Sequence, residues 1–336
     1  MRIKDKLKEL SSILPEDSYL VGGALRDSFL GRNRGDADIA VKGNALELAF
    51  LSARKIGGKA FVLDEERKIA RLLLDSGDYI DFVSFEGDIE DDLKRRDFTI
   101  NSMAVRLKDI DEPRIIDPLG GRKDLEEGII RAVGEDVFRD DPLRLLRAVR
   151  LKGELGFEIE GLTLQLMRRD SSLIKNVAGE RIREELFEIV TLEKSFPLLK
   201  LMDETSILLS IFPELGEGKG VSQPPEHFWD VYEHSLRTVE YVEYILSRDV
   251  KEEFQKYIYK FDGFYEYFDE ERVFLLKLAS LLHDVGKPRT RSINGKIRFI
   301  GHQKIGSEMA EEMLKRIRMS RKEIRAVGTM IENHLR

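Results

Sequence analysis

Two aspartates one residue apart, Asp36 and Asp38, are the residues near the start of the chain best suited to bind metal ions. Apolar residues follow the pair in the stretch DADIAV and favour a β-strand. Because side chains alternate between the two faces of a strand, both carboxylates would lie on one face. Two like charges so close repel unless cations lie between them. Two Mg²⁺ ions would relieve this repulsion and would hold the attacking and leaving oxygens of a phosphoryl transfer.

A third carboxylate is expected from the strand Tyr79–Phe85, in which Asp81 lies between Ile80 and Phe82. Its two apolar neighbours would face the core, which leaves Asp81 on the polar face of the sheet. An Asp-x-Asp tripeptide alone more often marks a solvated turn than a metal site. A catalytic interpretation therefore needs support from other residues.

Two adjacent glycines before the aspartates supply that support. Gly22 and Gly23 follow the predicted strand Tyr19–Val21 and precede a predicted helix. Glycine lets backbone N–H groups approach a phosphate closely, and the start of a helix favours an anion. Arg26, about one helical turn later, would then meet a triphosphate. A plain strand-to-helix turn needs one glycine but rarely two, followed by an arginine and paired carboxylates.

With these residues in this order, the N-terminal part resembles the nucleotidyltransferase superfamily that includes DNA polymerase β. It most closely resembles the class II tRNA nucleotidyltransferases and the bacterial poly(A) polymerases. The residues that match the opening pattern of this family are Gly22, Gly23, Arg26, Asp27, Gly31, Asp36 and Asp38. The resemblance implies a two-metal Mg²⁺ site at Asp36, Asp38 and Asp81.

The stretch RRDFTINSMA resembles the family motif that contacts the ribose. It implies that Arg96, Asp97 and Asn101 contribute to the nucleotide site. An aspartate and an asparagine both hydrogen-bond a 2′-hydroxyl, which would help to distinguish ribonucleotides from deoxyribonucleotides. For Asp97 alone, the N-cap of a helix is an alternative role.

The stretch RDDPLRLLRAVRL resembles the motif that reads the incoming base, and implies roles for Asp141, Arg144 and Arg147. At 100° per residue, Leu145, Leu146 and Val149 share one helix face and the arginines share the other. Asp141 and Arg144 are three residues apart and are expected to brace one another. Without the resemblance, an amphipathic helix with a charged outer face is the simpler interpretation.

Two further arginines are expected to contact RNA. Arg150 is the last arginine of the base-reading motif. Arg181 lies in AGERIREELFEIV, which resembles the family's fifth motif and implies a brace for the helices. Arginines bind phosphate backbones through their charge. The net charge of −7 counts mildly against nucleic-acid binding, so these residues would have to act locally.

The five histidines all lie beyond residue 226, and four of them follow the order H, HD, H, H. This order resembles the HD phosphohydrolase superfamily and implies a divalent metal bound by His234, His283 and Asp284, with His302 and His334 completing the order. Imidazoles and a carboxylate suit Mn, Ni, Co or Zn. His227 is expected to be a spare polar residue. The last aspartate of the HD pattern is expected beyond Arg336, so we expect this domain to be cut short.

The pattern of apolar residues predicts the fold class. Up to residue 138, short apolar runs broken by Gly, Asp and Asn predict an α/β head of polymerase-β type with a mixed sheet. From residue 139 onward, helix follows helix and strand-like runs vanish. A Gly- and Pro-rich break ends a helical neck and body at residue 222. The predicted domains are therefore 1–138 (catalytic head), 139–222 (neck and body) and 223–336 (all-α HD domain).

Composition excludes several classes of protein. The 336 residues include no cysteine, which rules out disulfides and thiolate metal sites and fits a cytoplasmic protein. The sequence has no apolar run of ~18 residues, so no membrane span is expected. The N-terminus also lacks the apolar core of a signal peptide.

The expected function is template-independent transfer of CMP, AMP or both, from CTP or ATP, to the 3′ acceptor end of tRNA. The short segment EGDIEDDLK before Arg95 favours CC addition, because the resemblance implies a longer loop there in enzymes that add all three nucleotides. Poly(A) polymerase is an alternative within the family. An HD-type phosphohydrolase or RNA-binding regulatory protein with an inactive polymerase part is an alternative from another class.

Overall fold

The computed structural model describes residues 3–32, 35–226, 228–247 and 266–335. The chain divides into two compact units. The first unit consists of Met1–Val137 and Glu158–Thr163, and the second of Phe138–Phe157 and Leu164–Arg336. The predicted limit between the neck and the HD domain, at residues 222–223, falls inside the second unit, and the predicted three-domain division stays a prediction.

The first unit is built on a seven-stranded sheet. Its strands are β1 (Ser18–Val21), β2 (Asp36–Lys42), β3 (Lys59–Asp64), β4 (Ile69–Leu73), β5 (Tyr79–Phe85), β6 (Ala104–Arg106) and β7 (Ile115–Ile116). Their order across the sheet is β3-β4-β5-β2-β1-β6-β7. β2 and β5 pair in parallel, whereas all the other neighbours pair antiparallel. The predicted mixed sheet is confirmed.

Helices connect and cover these strands. They are α1 (Ile3–Ser11), α2 (Gly22–Phe29), α3 (Ala45–Ile56), α4 (Ile89–Lys94) and α5 (Gly121–Glu127), and a short pair of strands, β8 (Ile129–Ile130) and β9 (Glu158–Ile159), completes the unit. α3 begins where the Asn44 side chain accepts a hydrogen bond from the N–H of Leu46, and it ends at Gly57, whose φ is 83°. Both features are typical helix ends.

An apolar cluster covers one end of the sheet face that carries the predicted catalytic residues. Ile89 and Leu93 of α4 pack with Tyr19, Val21 and Ala40. Val21 lies opposite Asp38 in the pair of β1 and β2, so these side chains share a face. Burying one large apolar side chain is worth about 1.5–3 kcal/mol. Burial of this cluster therefore fixes the face of the sheet on which Asp38 lies.

The second unit is mostly helical. Its helices are α6 (Val137–Asp140), α7 (Arg144–Leu155), α8 (Gly161–Asp170), α9 (Gly179–Thr191), α10 (Phe196–Glu204), α11 (Ile207–Ile211), α12 (Val231–Leu246), α13 (Glu270–Leu282), α14 (Lys287–Thr290), α15 (His302–Arg316) and α16 (Arg321–Asn333), of which α6 and α8 begin in the first unit. In α7, Leu145, Leu146 and Val149 are fully buried, as the periodicity predicts. The helical body and HD fold class are confirmed.

One detail of the second unit differs from the sequence prediction. Strands do not vanish after residue 139, because β10 (Arg291–Asn294) and β11 (Lys296–Phe299) form an antiparallel hairpin. The turn lies at Gly295, whose φ is 71°, a conformation that favours glycine. Strands of four residues are too short for an alternating pattern to stand out, although the Asn-Gly pair is a hairpin signal.

Within the described ranges, none of the helices combines the length and the apolar character that crossing a membrane requires.

Candidate active site

The three predicted catalytic carboxylates lie on the neighbouring strands β2 and β5. In this parallel pair, Asp38 is opposite Asp81 and Asp36 is opposite Tyr79. Residues opposite one another share a face, so all three carboxylates lie on the same face of the sheet. Ala37, between the two aspartates, faces the core and is 3% exposed. The structure therefore brings Asp36, Asp38 and Asp81 together as the alternation of the sequence predicts.

Arg71 on β4 also belongs to this group, although the sequence prediction did not include it. It lies opposite Asp81 in the pair of β4 and β5. Its Nε donates to Oδ1 of Asp81 at 2.7 Å, and its Nη2 donates to Oδ2 at 2.8 Å. These hydrogen bonds raise the pKa of Arg71 above its usual value, so the side chain is a permanent cation. An arginine inside the otherwise apolar strand IARLL was the signal that could have revealed it.

Tyr79 extends the group toward Asp36. The guanidinium carbon of Arg71 lies 3.9 Å from the centroid of the Tyr79 ring. Burial raises the pKa of Tyr79, and the negative charge of Asp36 raises it further. Tyr79 is therefore a neutral phenol that lies against the guanidinium of Arg71 and opposite Asp36 in the strand pair.

Gly22 is the point where the backbone comes closest to the carboxylates. It begins α2 with a φ of 70°, which only glycine adopts easily. A Cβ atom at this position would lie 2.9 Å from Oδ2 of Asp38 and 3.3 Å from Nη1 of Arg96. Arg96 is held in turn by Asp92, whose Oδ2 accepts from Nη2 at 3.0 Å. The backbone of Gly22, a carboxylate and a guanidinium thus meet at the start of a helix.

Arg26 lies in a buried polar network and is only 4% exposed. Its Nε donates to Oδ1 of Asp27 at 3.0 Å, and its Nη1 donates to Oδ1 of Asn101 at 2.8 Å. The amide of Asn101 donates to Oδ1 of Asp97 at 3.0 Å, and the N–H of Phe98 donates to the same oxygen at 2.7 Å. The predicted phosphate residue and the two predicted ribose residues are therefore joined in one rigid chain of hydrogen bonds.

In the second unit, Asp141 is paired with Arg181. Nη2 of Arg181 donates to Oδ2 of Asp141 at 2.8 Å, and the N–H of Leu143 donates to Oδ1 at 3.1 Å. Burial alone would raise the pKa of Asp141, but Arg181, Leu143 and the charge of Arg144 outweigh burial and hold the pKa below its usual value. The sequence predicted Arg144 as the brace. It missed Arg181 in this role because 40 residues separate it from Asp141.

The arginines of α7 have different environments. Arg144, Arg147 and Arg150 are all half-buried on the same helix. Nε of Arg150 donates to Glu185 at 2.8 Å, and its Nη1 donates to Glu154 at 2.8 Å. Burial would lower the pKa of Arg150, but these two carboxylates raise it above the usual value. Arg150 therefore joins α7 to α9, and the predicted RNA contacts of Arg150 and Arg181 stay predictions.

A cluster of four histidines surrounds Asp284 elsewhere in the second unit. Their Nε2 atoms lie 3.1–3.7 Å from the carboxylate oxygens of Asp284, which is 1% exposed in its side chain; the histidines are His234, His283, His302 and His334. Two overlapping groups, each with ligand atoms within 4.8 Å of one another, could hold a metal ion. One group contains His234 and His283, and the other contains His302 and His334. The fifth histidine, His227, lies outside the described residues.

The orientation of these rings suits metal binding. The Nδ1 atoms of His283, His302 and His334 lie 2.6–2.7 Å from backbone carbonyl oxygens, so they are the protonated nitrogens. Nε2 is then an acceptor that points at Asp284, which is the arrangement that metal-bound histidines adopt. Lys287 Nζ lies 2.7 Å from Oδ2 of Asp284. Within the described part of the chain, neither carboxylate oxygen receives a well-aligned hydrogen bond, so the donor set fits a cation.

Comparison with protein families matches three consecutive parts of the chain. Residues 18–131 match "Poly A polymerase head domain", and residues 156–218 match "Probable RNA and SrmB- binding site of polymerase A". Residues 231–336 match "HD domain". The chain thus carries a nucleotidyltransferase head, then a segment that matches a polymerase RNA-binding family, and then an HD domain.

Curated relatives define the family further. The A-adding tRNA nucleotidyltransferase of Deinococcus radiodurans is 34% identical over 329 residues, which cover 96% of this chain and 69% of the relative. The CC-adding tRNA nucleotidyltransferase of Geobacter sulfurreducens is 42% identical over 197 residues, which cover 58% of this chain and 45% of the relative. The chain belongs to the tRNA nucleotidyltransferase family, and it is an enzyme of the nucleotidyltransferase class.

Solved structures of similar proteins agree with this family. A Thermotoga maritima CCA-adding enzyme complexed with tRNA has a TM-score of 0.69 and 26% identity, and the match covers 98% of this chain and 68% of that chain. A CCA-adding enzyme in complex with CTP has a TM-score of 0.67 and 26% identity, and covers 98% and 69% of the two chains. Nucleotidyltransferases of this family use a divalent metal ion.

Proposed function

We propose that this enzyme transfers nucleotides from CTP or ATP to the 3′ acceptor end of tRNA without a nucleic-acid template and releases pyrophosphate. The observation that carries the proposal is the placement of Asp36, Asp38 and Asp81 on one sheet face beside the start of α2. Family membership supports the substrate class, because the curated relatives are tRNA nucleotidyltransferases. Poly(A) synthesis has no comparable support among these relatives.

Asp36 and Asp38 are the residues that would hold the metal ions, with Asp81 as the third carboxylate. Carboxylate oxygens are the ligands that Mg²⁺ prefers, so the donor set fits this ion. When bound, the ions lower the pKa of the attacking RNA 3′-hydroxyl and neutralise the charge on the triphosphate and the leaving pyrophosphate. The cluster itself supplies three negative charges on one face to attract them.

The residues around the carboxylates would bind the remainder of the nucleotide. The N–H groups at Gly22 and Gly23 and the guanidinium of Arg96 would contact phosphate oxygens. Asp97 and Asn101 would position the ribose. Because Arg26 is buried and bound to its polar neighbours, we assign it a positioning role rather than a direct phosphate contact.

Base selection would depend on the second unit. We infer that the carboxylate of Asp141 offers hydrogen-bond acceptors, and the guanidinium of Arg144 offers donors, to the edge of the incoming base. Arg147 lies on the same helix face as Arg144. Arg181 fixes the carboxylate of Asp141 in one orientation. A fixed pattern of donors and acceptors is what a templating base would otherwise provide.

We infer CC addition as the specific reaction. Only Glu86–Asp88 separates the end of β5 from the start of α4, so this connection lacks the length expected of an enzyme that adds all three nucleotides. Incubation with tRNA that ends before its CCA sequence, Mg²⁺ and single labelled nucleotides tests the proposal. Two C residues and no A support CC addition. Addition of AMP to a tRNA that already ends in CC would indicate an A-adding enzyme, and long A tails would indicate a poly(A) polymerase. No incorporation of either nucleotide would contradict the proposed function.

We also propose that the histidine cluster binds a first-row transition metal through His234, His283 and Asp284, and that it hydrolyses phosphate esters. The inward direction of the Nε2 atoms supports this second activity. Release of phosphate or nucleoside from small phosphate esters, with Mn²⁺, Ni²⁺ or Co²⁺ added singly, tests the activity. Hydrolysis that survives replacement of Asp284 by Asn would contradict it.

A further inference from the structure

The carboxylates of the sheet and the guanidinium of Arg71 form an unequal set of charges. Asp36, Asp38 and Asp81 would carry three negative charges, and Arg71 carries one positive charge. The pair of Arg71 and Asp81 is partly exposed to water, since the two side chains are 32% and 16% exposed. A guanidinium at this position was not expected from the sequence and has no role in the proposed chemistry.

The contact between Arg71 and Asp81 involves both oxygens of the carboxylate. Each oxygen accepts one of two parallel N–H groups, a geometry that belongs to the strongest charge-assisted pairs. The Tyr79 ring beneath the guanidinium keeps Arg71 in this orientation. Each carboxylate oxygen of Asp81 therefore uses one lone pair to accept a hydrogen bond from Arg71. The second lone pair of each oxygen is directed away from Arg71.

We propose that Arg71 is a positioning residue that holds Asp81 and lowers the affinity of the metal-free enzyme for divalent cations, so that the metal enters together with the nucleotide. The proposal rests on the proposed metal site at Asp36 and Asp38. A fixed positive charge near a dication opposes its binding directly, and a carboxylate already paired with arginine attracts the dication less.

The same charge would favour a metal–nucleotide complex. A triphosphate carries negative charge that Arg71 attracts, and it brings a metal ion whose charge is already partly neutralised. Binding of metal alone would then be weak, whereas binding of the complex would be strong. This order of binding keeps the carboxylates from retaining a metal ion after pyrophosphate has left.

The opposite role is the competing interpretation. If Arg71 instead orients Asp81 as a direct metal ligand, loss of Arg71 weakens metal binding. The two roles predict changes of opposite sign in the same dissociation constant, so one measurement separates them.

The experiment is a titration of the full chain with Mn²⁺ in the absence of nucleotide, with free Mn²⁺ followed by electron paramagnetic resonance. The Mn²⁺ bound at the sheet is the amount bound by a protein with intact aspartates minus the amount bound when the double substitution Asp36→Asn, Asp38→Asn is added. This difference excludes Mn²⁺ bound at the histidine cluster. For Arg71→Met, we expect the dissociation constant at the sheet to fall about fivefold or more. Arg71→Lys keeps the charge and is expected to stay close to the wild-type value.

Arg106→Met is the matched control. Arg106 lies on β6 of the same sheet, over the ring of Tyr19 and 4.0 Å from Asp17, so its replacement removes a similar cation from a similar setting. We expect no change in Mn²⁺ binding. A melting curve of each variant with chelator present shows whether the variant is folded. If Arg71→Met does not fold, Arg71→Gln replaces it in the titration.

Two failures can be told apart. If replacing both aspartates changes Mn²⁺ binding neither in the wild type nor in Arg71→Met, the proposed metal site itself is wrong. If the double aspartate variant loses metal but the folded Arg71→Met or Arg71→Gln protein binds Mn²⁺ no more tightly than wild type, the role of Arg71 is overturned and the proposed function stands.

Discussion

Asp38 and Asp81 lie directly opposite one another in the parallel pair of β2 and β5. This register decides whether a site exists, because a slip by one residue would move Asp81 to the core face and bring Ile80 or Phe82 to the polar face. The burial of Ile80 and Phe82, both 0% exposed, opposes such a slip. The apolar core and the catalytic group are therefore specified by the same alternation of residues.

The close approach of Gly22 to Asp38 predicts a loss of activity in Gly22→Ala. The added Cβ would lie 2.9 Å from Oδ2 of Asp38 and would displace that carboxylate. We expect nucleotide incorporation to fall about 10²-fold, because small displacements of reacting groups are costly. Initial rates of incorporation into tRNA measure the effect.

Gly31→Ala is the control for backbone strain at Gly22. Gly31 has a φ of 69°, nearly the same as Gly22, but a Cβ there would meet no atom of the described residues within 4 Å. Both variants should lose about 1–2 kcal/mol of stability from the strained backbone. Equal losses of activity in the two variants would show that strain, and not contact with Asp38, is responsible.

The pair of Asp141 and Arg181 predicts a pH-dependent contribution to stability. The folded-state pKa of Asp141 is below its ordinary value of 3.8, so the contribution is present above pH 3.8 and is lost as the pH falls through the folded value. Because the Arg181 side chain is 39% exposed and screened by solvent, Arg181→Met should cost only about 0.5 kcal/mol near neutral pH. Urea denaturation at a series of pH values between neutrality and pH 3 measures it.

Arg183→Met on the same helix is the comparison for Arg181. Arg183 donates to the backbone carbonyl of Arg318 and leaves Asp141 untouched. The difference in free energy of unfolding between wild type and Arg181→Met should shrink below pH 3.8. The corresponding difference for Arg183→Met should not shrink in this pH range. A difference for Arg181→Met that stays constant down to pH 3 would refute the electrostatic account.

A buried charge pair in the second unit predicts a large loss of stability. Lys277 is 2% exposed, and its Nζ donates to Oε1 of Glu243 at 3.0 Å, an oxygen that also accepts from the N–H and hydroxyl of Ser195. Glu243→Gln would leave the buried ammonium without its counter-ion, at a cost of about 3 kcal/mol. Chemical denaturation provides the measurement, with Glu240→Gln on the exposed side of α12 as the control. Losses of equal size would mean that the pair is not coupled.

The histidine cluster predicts metal-dependent stability that does not require the sheet carboxylates. At a metal concentration of 100 times the dissociation constant, Mn²⁺ or Ni²⁺ should stabilise the protein by about 2.7 kcal/mol. Asp284→Asn should abolish this effect, and the double variant Asp36→Asn, Asp38→Asn should retain it. Thermal melting with and without a chelator tests both statements, and stabilisation that persists in Asp284→Asn would locate the metal elsewhere.

Local patterns in the sequence predicted more of this structure than distant contacts did. Alternation placed Asp36, Asp38 and Asp81 on one face, and helical periodicity placed the buried side of α7. Arg71 was missed because its role depends on the register of two antiparallel strands, which no local pattern reveals. Arg26 is predicted as a phosphate contact, whereas its buried hydrogen bond to Asn101, 75 residues away, supports the positioning role proposed above and is not visible in any local pattern. Long-range pairs of this kind require the fold.

The most direct test of the central claim is incorporation of labelled CTP into tRNA that lacks its 3′ CCA, by the wild type and by the double variant Asp36→Asn, Asp38→Asn. Asp75→Asn, in the exposed turn between β4 and β5, is the matched control. We predict that wild type and Asp75→Asn add C residues and that the double variant loses at least roughly 10²–10³-fold in rate while remaining folded. Incorporation by the double variant at the wild-type rate would contradict the account.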